Sequence, residues 1–326
     1  MSTLDRWRVL DRVRGGTASL LDPVTERDRE RRRIAALAVP FLALALFGAF
    51  IPIVVMFRMS VSTSNLAIEG VSFVAYERLF ASMLAFVPVL GDGVGADPVY
   101  GVVIWNSLWF GVLTTLASVV VGVALAHGLE KYDLPRQGLL VTLISFPISL
   151  PGIVAAFMMI VWFGKTGVLT NAFAFLSGAD PGGIALTGQP SGTTLAILGL
   201  FLGYLYSMIP RATFLLRGSY AEVNTDAEEA ARALGATPWQ TFRYVTLPQI
   251  RPGIVGALIL TFRTALAIFG TVLVLKALSV VTFRFNQEIS VGFDLAMASA
   301  LAAVFFVFTV VFTFAGLRYT SAEVTG

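Results

Sequence analysis

About 20 consecutive apolar residues, at a rise of 1.5 Å each, are enough to cross a hydrocarbon layer about 30 Å thick, and this chain of 326 residues carries six such runs. They cover about Ile34 to Phe57, Val102 to Ala126, Leu139 to Phe163, Leu195 to Leu216, Gly253 to Leu275 and Val291 to Leu317. The pattern predicts an all-α integral membrane protein of six transmembrane helices, with both termini on the same side. Bulk composition agrees: 56% of residues are hydrophobic and only 13% charged, with a mean hydropathy of +0.81, well beyond an ordinary soluble domain. With no cysteine and a single histidine, His127, disulfides, thiolate sites and histidine metal clusters are excluded, and no cofactor is expected.

Lysine and arginine concentrate on the cytoplasmic side of short membrane loops, so charge placement sets the orientation. Residues 1–33 are polar and end in Arg27, Arg29, Arg31, Arg32 and Arg33; this segment is too long and too charged for the start of a signal peptide and reads as a cytoplasmic tail. Residues 34–317 form the membrane domain and residues 318–326 a second cytoplasmic tail. The polar stretch up to Tyr100, holding Glu69, Glu77, Asp92 and Asp97, is the first outer loop. With both termini inside, 17 of the 23 basic residues, Arg211 among them, fall on the inner side and 5 on the outer. That leaves Arg263 within a span. The net charge of +3 therefore reports orientation, and no nucleic-acid partner is implied. Pro40, Pro52, Pro147 and Pro151 lie within runs, where they kink a helix and free carbonyls that neighbouring protein or water must satisfy.

Between the fourth and fifth spans, a loop of about residues 217–252 is written like two short helices. Thr225 with Glu228 fits a capping box, and Asp226, Glu228 and Glu229 put negative charge at the helix's positive end. Ala227, Ala230, Ala231 and Leu234 share one face of small side chains. Gly235 supplies a left-handed C-terminal cap. Thr237, Pro238 and Gln240 spell a second start; Trp239, Phe242 and Val245 share a side. Pro248 and Pro252 are expected to end this helix and turn the chain back into the membrane.

Glu229-Ala230-Ala231, Gly235 and Val245-Thr246-Leu247-Pro248 together resemble the EAA signature of ABC importer permeases: EAA, three residues, glycine, nine residues, then I-x-L-P, with Val245 in the isoleucine position. The match sits between the two spans where that family carries it, and the chain from about Ile34 to Leu317 has the six-span layout of the type I importer permeases. The resemblance implies that Glu229, Ala230, Ala231, Gly235, Leu247 and Pro248 form the cytoplasmic coupling helices docked on an ABC ATPase subunit. It further implies a second permease subunit, identical or not, and an extracytoplasmic solute-binding protein. Asn106-Ser107-Leu108 and Glu222 look like the spermidine/putrescine branch. Phe146-Pro147 to Pro151-Gly152-Ile153, Phe163 to Gly167, and Phe262, Leu266 and Phe269-Gly270 look like the sulfate, molybdate and ferric-ion branches. Ala267 and Ile268 replace the glycine and glutamate of the Leu-Gly-Glu-Phe-Gly block of the oxyanion permeases.

Gly164-Lys165-Thr166 resembles the tail of a phosphate-binding loop, but position 159 is methionine and the segment falls in a predicted outer loop, so it reads as a turn. ATP hydrolysis is expected from another chain, and this one is not expected to be an enzyme. A secondary transporter or channel would need acidic or histidine relays within spans. An intramembrane enzyme would need clustered acids, bases or metal ligands, whereas Asp294 stands alone near a span end and His127 reads as a satisfied interfacial residue. Arg263, 10 residues into the run from Gly253, is expected about 15 Å deep and facing the bundle interior; facing a pathway, its field would favour an anion over a polycation.

Overall fold

The computed structural model describes residues 26–87 and 95–325, so residues 1–25 of the expected tail, and Asp92, lie outside the described residues. The chain divides into two compact units, residues 1–58 and 59–326. In the first, the helix Glu26–Ala45 passes through a π-helical turn, Leu46–Phe50, into the helix Ile51–Ser60. Residues 26–33 are thus helical and continuous with the first span. The apolar window of Arg33–Ser60 has none of its residues buried; Leu37 and Phe41 are 79% and 70% exposed, as suits side chains whose solvent is lipid.

The second unit is built on long helices. Val99–Lys131, Thr194–Tyr220 and Pro238–Ala267, the second, fourth and fifth candidate spans, pack against one another, and the sixth, Leu295–Arg318, packs on the fifth. Its helix continues to Thr325, so the expected second tail is largely helical. With the first span this makes six helices long and apolar enough to cross a membrane. The second, fourth and fifth spans meet around Ala126, Ala212, Leu216, Tyr220, Ile250 and Ala257 at one end and around Phe110, Leu200, Tyr204, Met208 and Val272 at the other.

The expected third span, Leu139 to Phe163, is not one helix. Gln137–Ser145 passes into a 3-10 turn, Phe146–Ser149, and breaks before the helix Gly152–Phe163. Pro147 and Pro151 lack the N–H groups that would continue it. The tight turn Gly164–Gly167 follows and leads to Val168–Ser177. The candidate span in this region is therefore Gly152–Ser177, preceded by the shorter apolar helix Gln137–Ser149; the count of six stands. The expected fifth span also breaks: its helix stops at Ala267 and resumes as Gly270–Leu275. The two interrupted helices cross at Gly152 and Gly270, where a Cβ on Gly270 would lie 2.8 Å from the Ile153 nitrogen. The Thr271 hydroxyl donates to the Gly152 carbonyl at 3.1 Å, and the Thr282 hydroxyl donates to the Ile268 carbonyl at 3.1 Å.

The expected first outer loop holds a packed helix, Val74–Phe86, against the second and sixth spans. Leu79 drives this: it is fully buried with Val103, Val281, Met297 and Leu301. Asp294 is an N-cap, accepting from the Met297 amide at 2.9 Å, with Arg78 3.9 Å away.

Helices approach closely in a bilayer where side chains are small. At Gly122 a Cβ would lie 3.0 Å from the Ala212 Cβ and 3.1 Å from the Thr213 nitrogen, a backbone atom that cannot step aside. Gly122→Leu is expected to destabilise the bundle by about 1–3 kcal/mol through overpacking, whereas Gly128→Ala, with nothing within 4 Å, is not. Heating detergent extracts and following the surviving monodisperse fraction by size exclusion checks this; equal midpoints for the two variants would refute the close packing.

Candidate functional site

The segment between the fourth and fifth spans folds as an elbow of two short helices. The first runs Thr225–Ala233, and its N-cap is Asn224, whose side-chain oxygen accepts from the Ala227 amide at 3.3 Å. The expected Thr225–Glu228 capping box does not form, because Asn224 is as good a cap as threonine and takes the position one residue earlier. The helix ends in a Schellman motif: the Gly235 amide donates to the Arg232 carbonyl at 2.9 Å and the Ala236 amide to the Ala231 carbonyl at 3.0 Å. Gly235 has φ +88°, the left-handed conformation that a side chain disfavours. Thr237 then opens the second helix with the expected capping box, exchanging hydrogen bonds with Gln240 at 2.8 and 3.3 Å, and Pro238 follows at the first helical position.

That second helix does not end at Pro248 or Pro252. Pro238–Thr241 passes through a π-helical turn, Phe242–Thr246, directly into Leu247–Ala267. A proline removes one helical donor, and the wider turn just before Pro248 accommodates that loss without terminating the helix.

Freed from capping, Glu228 has a different place. It is 2% exposed. Its carboxylate accepts from the Lys131 ammonium at 2.7 Å and from the Thr246 hydroxyl, with the Arg232 guanidinium 3.7 Å away. Lys131 closes the last turn of the second span, where a cation also suits the helix dipole. One carboxylate thus ties the first short helix to the second span and to the π turn of the fifth. Burial alone would raise the Glu228 carboxyl, but the hydrogen bonds from Lys131 and Thr246 and the charges of Lys131 and Arg232 outweigh it and hold the group below its ordinary value. Beside this clasp, Arg217 donates to Glu130, joining the ends of the fourth and second spans, and the Asn224 amide donates to Gln249 at 2.9 Å.

The residues anticipated from the EAA pattern divide by exposure. Glu229, Ala230 and Gly235 are exposed and Ala231 is half-buried; Leu234, Trp239 and Tyr244 follow at 89%, 69% and 75% exposed. Leu247 instead packs on the core that contains Ile250 and Leu216, and Pro248 lies in the first turn of its helix. The structure therefore brings Glu229, Ala230, Ala231 and Gly235 onto one presented elbow and gives Leu247 and Pro248 an anchoring place. His127 is boxed by Tyr132, Tyr220 and Phe242, with ring centroids 5.8, 5.7 and 4.8 Å away. Its Nδ1 is buried with no hydrogen-bond partner, so the expectation of a satisfied interfacial residue is corrected to an aromatic contact. Among the described residues no group of three His, Cys, Asp or Glu is placed to hold a metal.

Sequence reasoning missed Glu228 and Lys131, one residue before the EAA triplet and at the end of the second span. The available signal was Asn224, a second cap candidate that leaves Glu228 unassigned. Arg263 is exposed, four residues before the break that follows Ala267 rather than in mid-helix. Arg211 lies within the helix Thr194–Tyr220, inside the expected fourth run.

Apolar spans, helices broken inside them and a capped elbow between the fourth and fifth define a multi-pass transport subunit. The chain belongs to the family of binding-protein-dependent transport system inner membrane components, matched over residues 118–320, and is a permease of the type I ABC importer kind. It is 28% identical over 250 residues to the sulfate transport system permease protein CysW of Synechococcus elongatus, covering 76% of this chain and 78% of that one. It is 25% identical over 249 residues to the spermidine/putrescine transport system permease protein PotB of Haemophilus influenzae, covering 72% and 84%. Its fold is similar to a chain of the bacterial alginate ABC transporter solved in complex with an alginate pentasaccharide-bound periplasmic protein, with a TM-score of 0.72 at 16% identity over 93% of this chain and 99% of that one.

Removing one partner of a buried ion pair costs about 3–5 kcal/mol, because the other charge stays buried alone. Glu228→Gln and Lys131→Met are each expected to speed hydrogen exchange across Thr225–Ala233 markedly, and the double variant by less than the two together. Because the folded-state carboxyl is depressed, its contribution is present above the unfolded value of about 4.3 and is lost as pH falls through the lower folded one. Exchange corrected for intrinsic chemistry should therefore be flat from neutral pH down to about 4.3 and rise below it. A rise near neutrality would show that Glu228 is not held as described.

Proposed function

We propose that this chain forms half of a solute pathway and is driven through its elbow by a separate ABC ATPase subunit, in an assembly with a second permease and an extracytoplasmic solute-binding protein. The observation that carries this reading is the combination at the elbow: Leu234 is 89% exposed beside Ala230 and Gly235, while Glu228 beneath them is buried and doubly tied. An apolar surface held stiffly in water fits a docking partner better than a solvated turn. The membership of the family and the alginate transporter's periplasmic partner support the remaining subunits. No phosphate-binding loop stands in the sequence, in keeping with hydrolysis in the partner.

On this reading the elbow and both chain ends face the cytoplasm of a cell-membrane protein, with the domain limits read from the sequence: residues 1–33 and 318–326 as tails and residues 34–317 as the membrane domain. Arg263 faces the solute route. The relatives' names point to sulfate and to spermidine or putrescine, which carry opposite charge.

Two measurements test the proposal. A cysteine introduced at Thr237 should react with an impermeant thiol reagent only after the membrane is opened; labelling in intact cells would reverse the orientation. Gly235→Leu should abolish ATP-driven uptake while membrane abundance is retained. A Cβ there meets nothing within 4 Å, so the harm comes from a side chain forced to positive φ, a strain of about 1 kcal/mol or more, and from bulk on the docking face. Normal uptake with leucine at this position would mean the elbow does not couple.

A further inference from the structure

Two clefts in the second unit meet at the same three residues, Arg211, Arg263 and Thr264. The first, of about 440 Å³, lies between the fourth and fifth spans and the 3-10 turn of the broken third, where Ile148 contributes. The second, of about 700 Å³, opens toward the sixth span, where Thr309 and Phe314 contribute. Arg211 stands nine residues from the end of its helix at Tyr220, about 14 Å at 1.5 Å per residue. Arg263 stands one turn before the interruption at Ile268. Arg211 is half-buried and Arg263 exposed, and neither guanidinium has a carboxylate partner among the described residues, whereas the half-buried Lys131 and Arg217 each have one. Thr261, 2% exposed, lines the first cleft, and its buried hydroxyl has no hydrogen-bond partner.

Resting on the proposed solute pathway, we infer that Arg211 and Arg263, with Thr261, form a binding site for a small divalent oxyanion on that pathway. A guanidinium stays charged at any working pH and offers five N–H donors in a planar fork matched to oxyanion geometry. Two of them lining one cleft between two apolar spans repel each other, and a charge within a span is expensive. A monoanion leaves one charge uncompensated; a dianion neutralises both. A polycation such as spermidine would add positive charge to a cleft already holding two and is excluded by the same field. The threonine hydroxyl supplies the neutral donor that a tetrahedral anion accepts beyond the two forks. The placement also suits passage: the site sits beside two helix breaks, at the junction of two openings.

The test uses the tagged chain purified from its own membrane with whatever subunits accompany it, and radiolabelled sulfate as the probe in a scintillation proximity assay. Saturable sulfate binding that spermidine does not compete at matched ionic strength is expected. Arg211→Gln and Arg263→Gln should each weaken it about tenfold or more, the scale of one charge-assisted hydrogen bond, with Arg→Lys at either position weakening it less. No saturable binding to the unaltered chain, or unchanged affinity in both glutamine variants, overturns the site. So does an arginine effect found only in vesicles containing anionic phospholipid, since the guanidinium groups then serve lipid phosphate. Whether an ATPase subunit co-purifies and drives uptake is read from the same preparation, so a failure of the importer reading is seen separately from a failure of the anion site.

Discussion

Backbone N–H and C=O groups find no water in a hydrocarbon layer, and every departure from the helix inside a span has to be answered by the protein itself. Two of the six spans depart from it here, and the rest of the second unit is arranged around the answers. Gly152 and Gly270 let the two interrupted helices touch, Thr271 serves the carbonyl of one break and Thr282 that of the other. Leu79 brings the extra helix Val74–Phe86 against the second and sixth spans, extending the packed side of the second unit.

The elbow obeys a different economy, since it is made of local signals that work in water. Caps at Asn224 and Thr237, the left-handed Gly235 and the proline at 238 each satisfy the ends of very short helices that would be unstable alone. What ties the first short helix to the bundle from beneath is a buried carboxylate, beside the hydrogen bond from the Asn224 amide to Gln249. Glu228 reaches both the end of the second span and the π turn that opens the fifth, while the second short helix is held by running directly into that span.

Much of this was legible from the residues. The six apolar runs, the glycine at 235 and the Thr237–Gln240 box depend on hydropathy and local steric rules, and those act wherever the sequence is placed. The misreadings concern choices that hydropathy and single residues leave open: which of two adjacent caps is used, and whether a proline ends a helix or is carried within it. Thr225 and Asn224 are equivalent caps until the chain's path selects one. Pro248 and Pro252 signal an end unless a π turn absorbs the missing donor. Leu139 to Phe163 reads as a single apolar run because hydropathy does not register the break at Pro151.

The unbroken path from Pro238 through the π turn to Ala267 makes the elbow and the fifth span one rod. At 1.5 Å per residue it is about 45 Å long. A rod of that length amplifies: a tilt of roughly 5° imposed at the elbow would carry the far end, where Arg263 and the interruption at Ile268 stand, through about 4 Å. The interruption in this path thus lies not where the elbow meets the fifth span but after Ala267, so that the elbow's second helix and the span as far as Ala267 would turn as one piece.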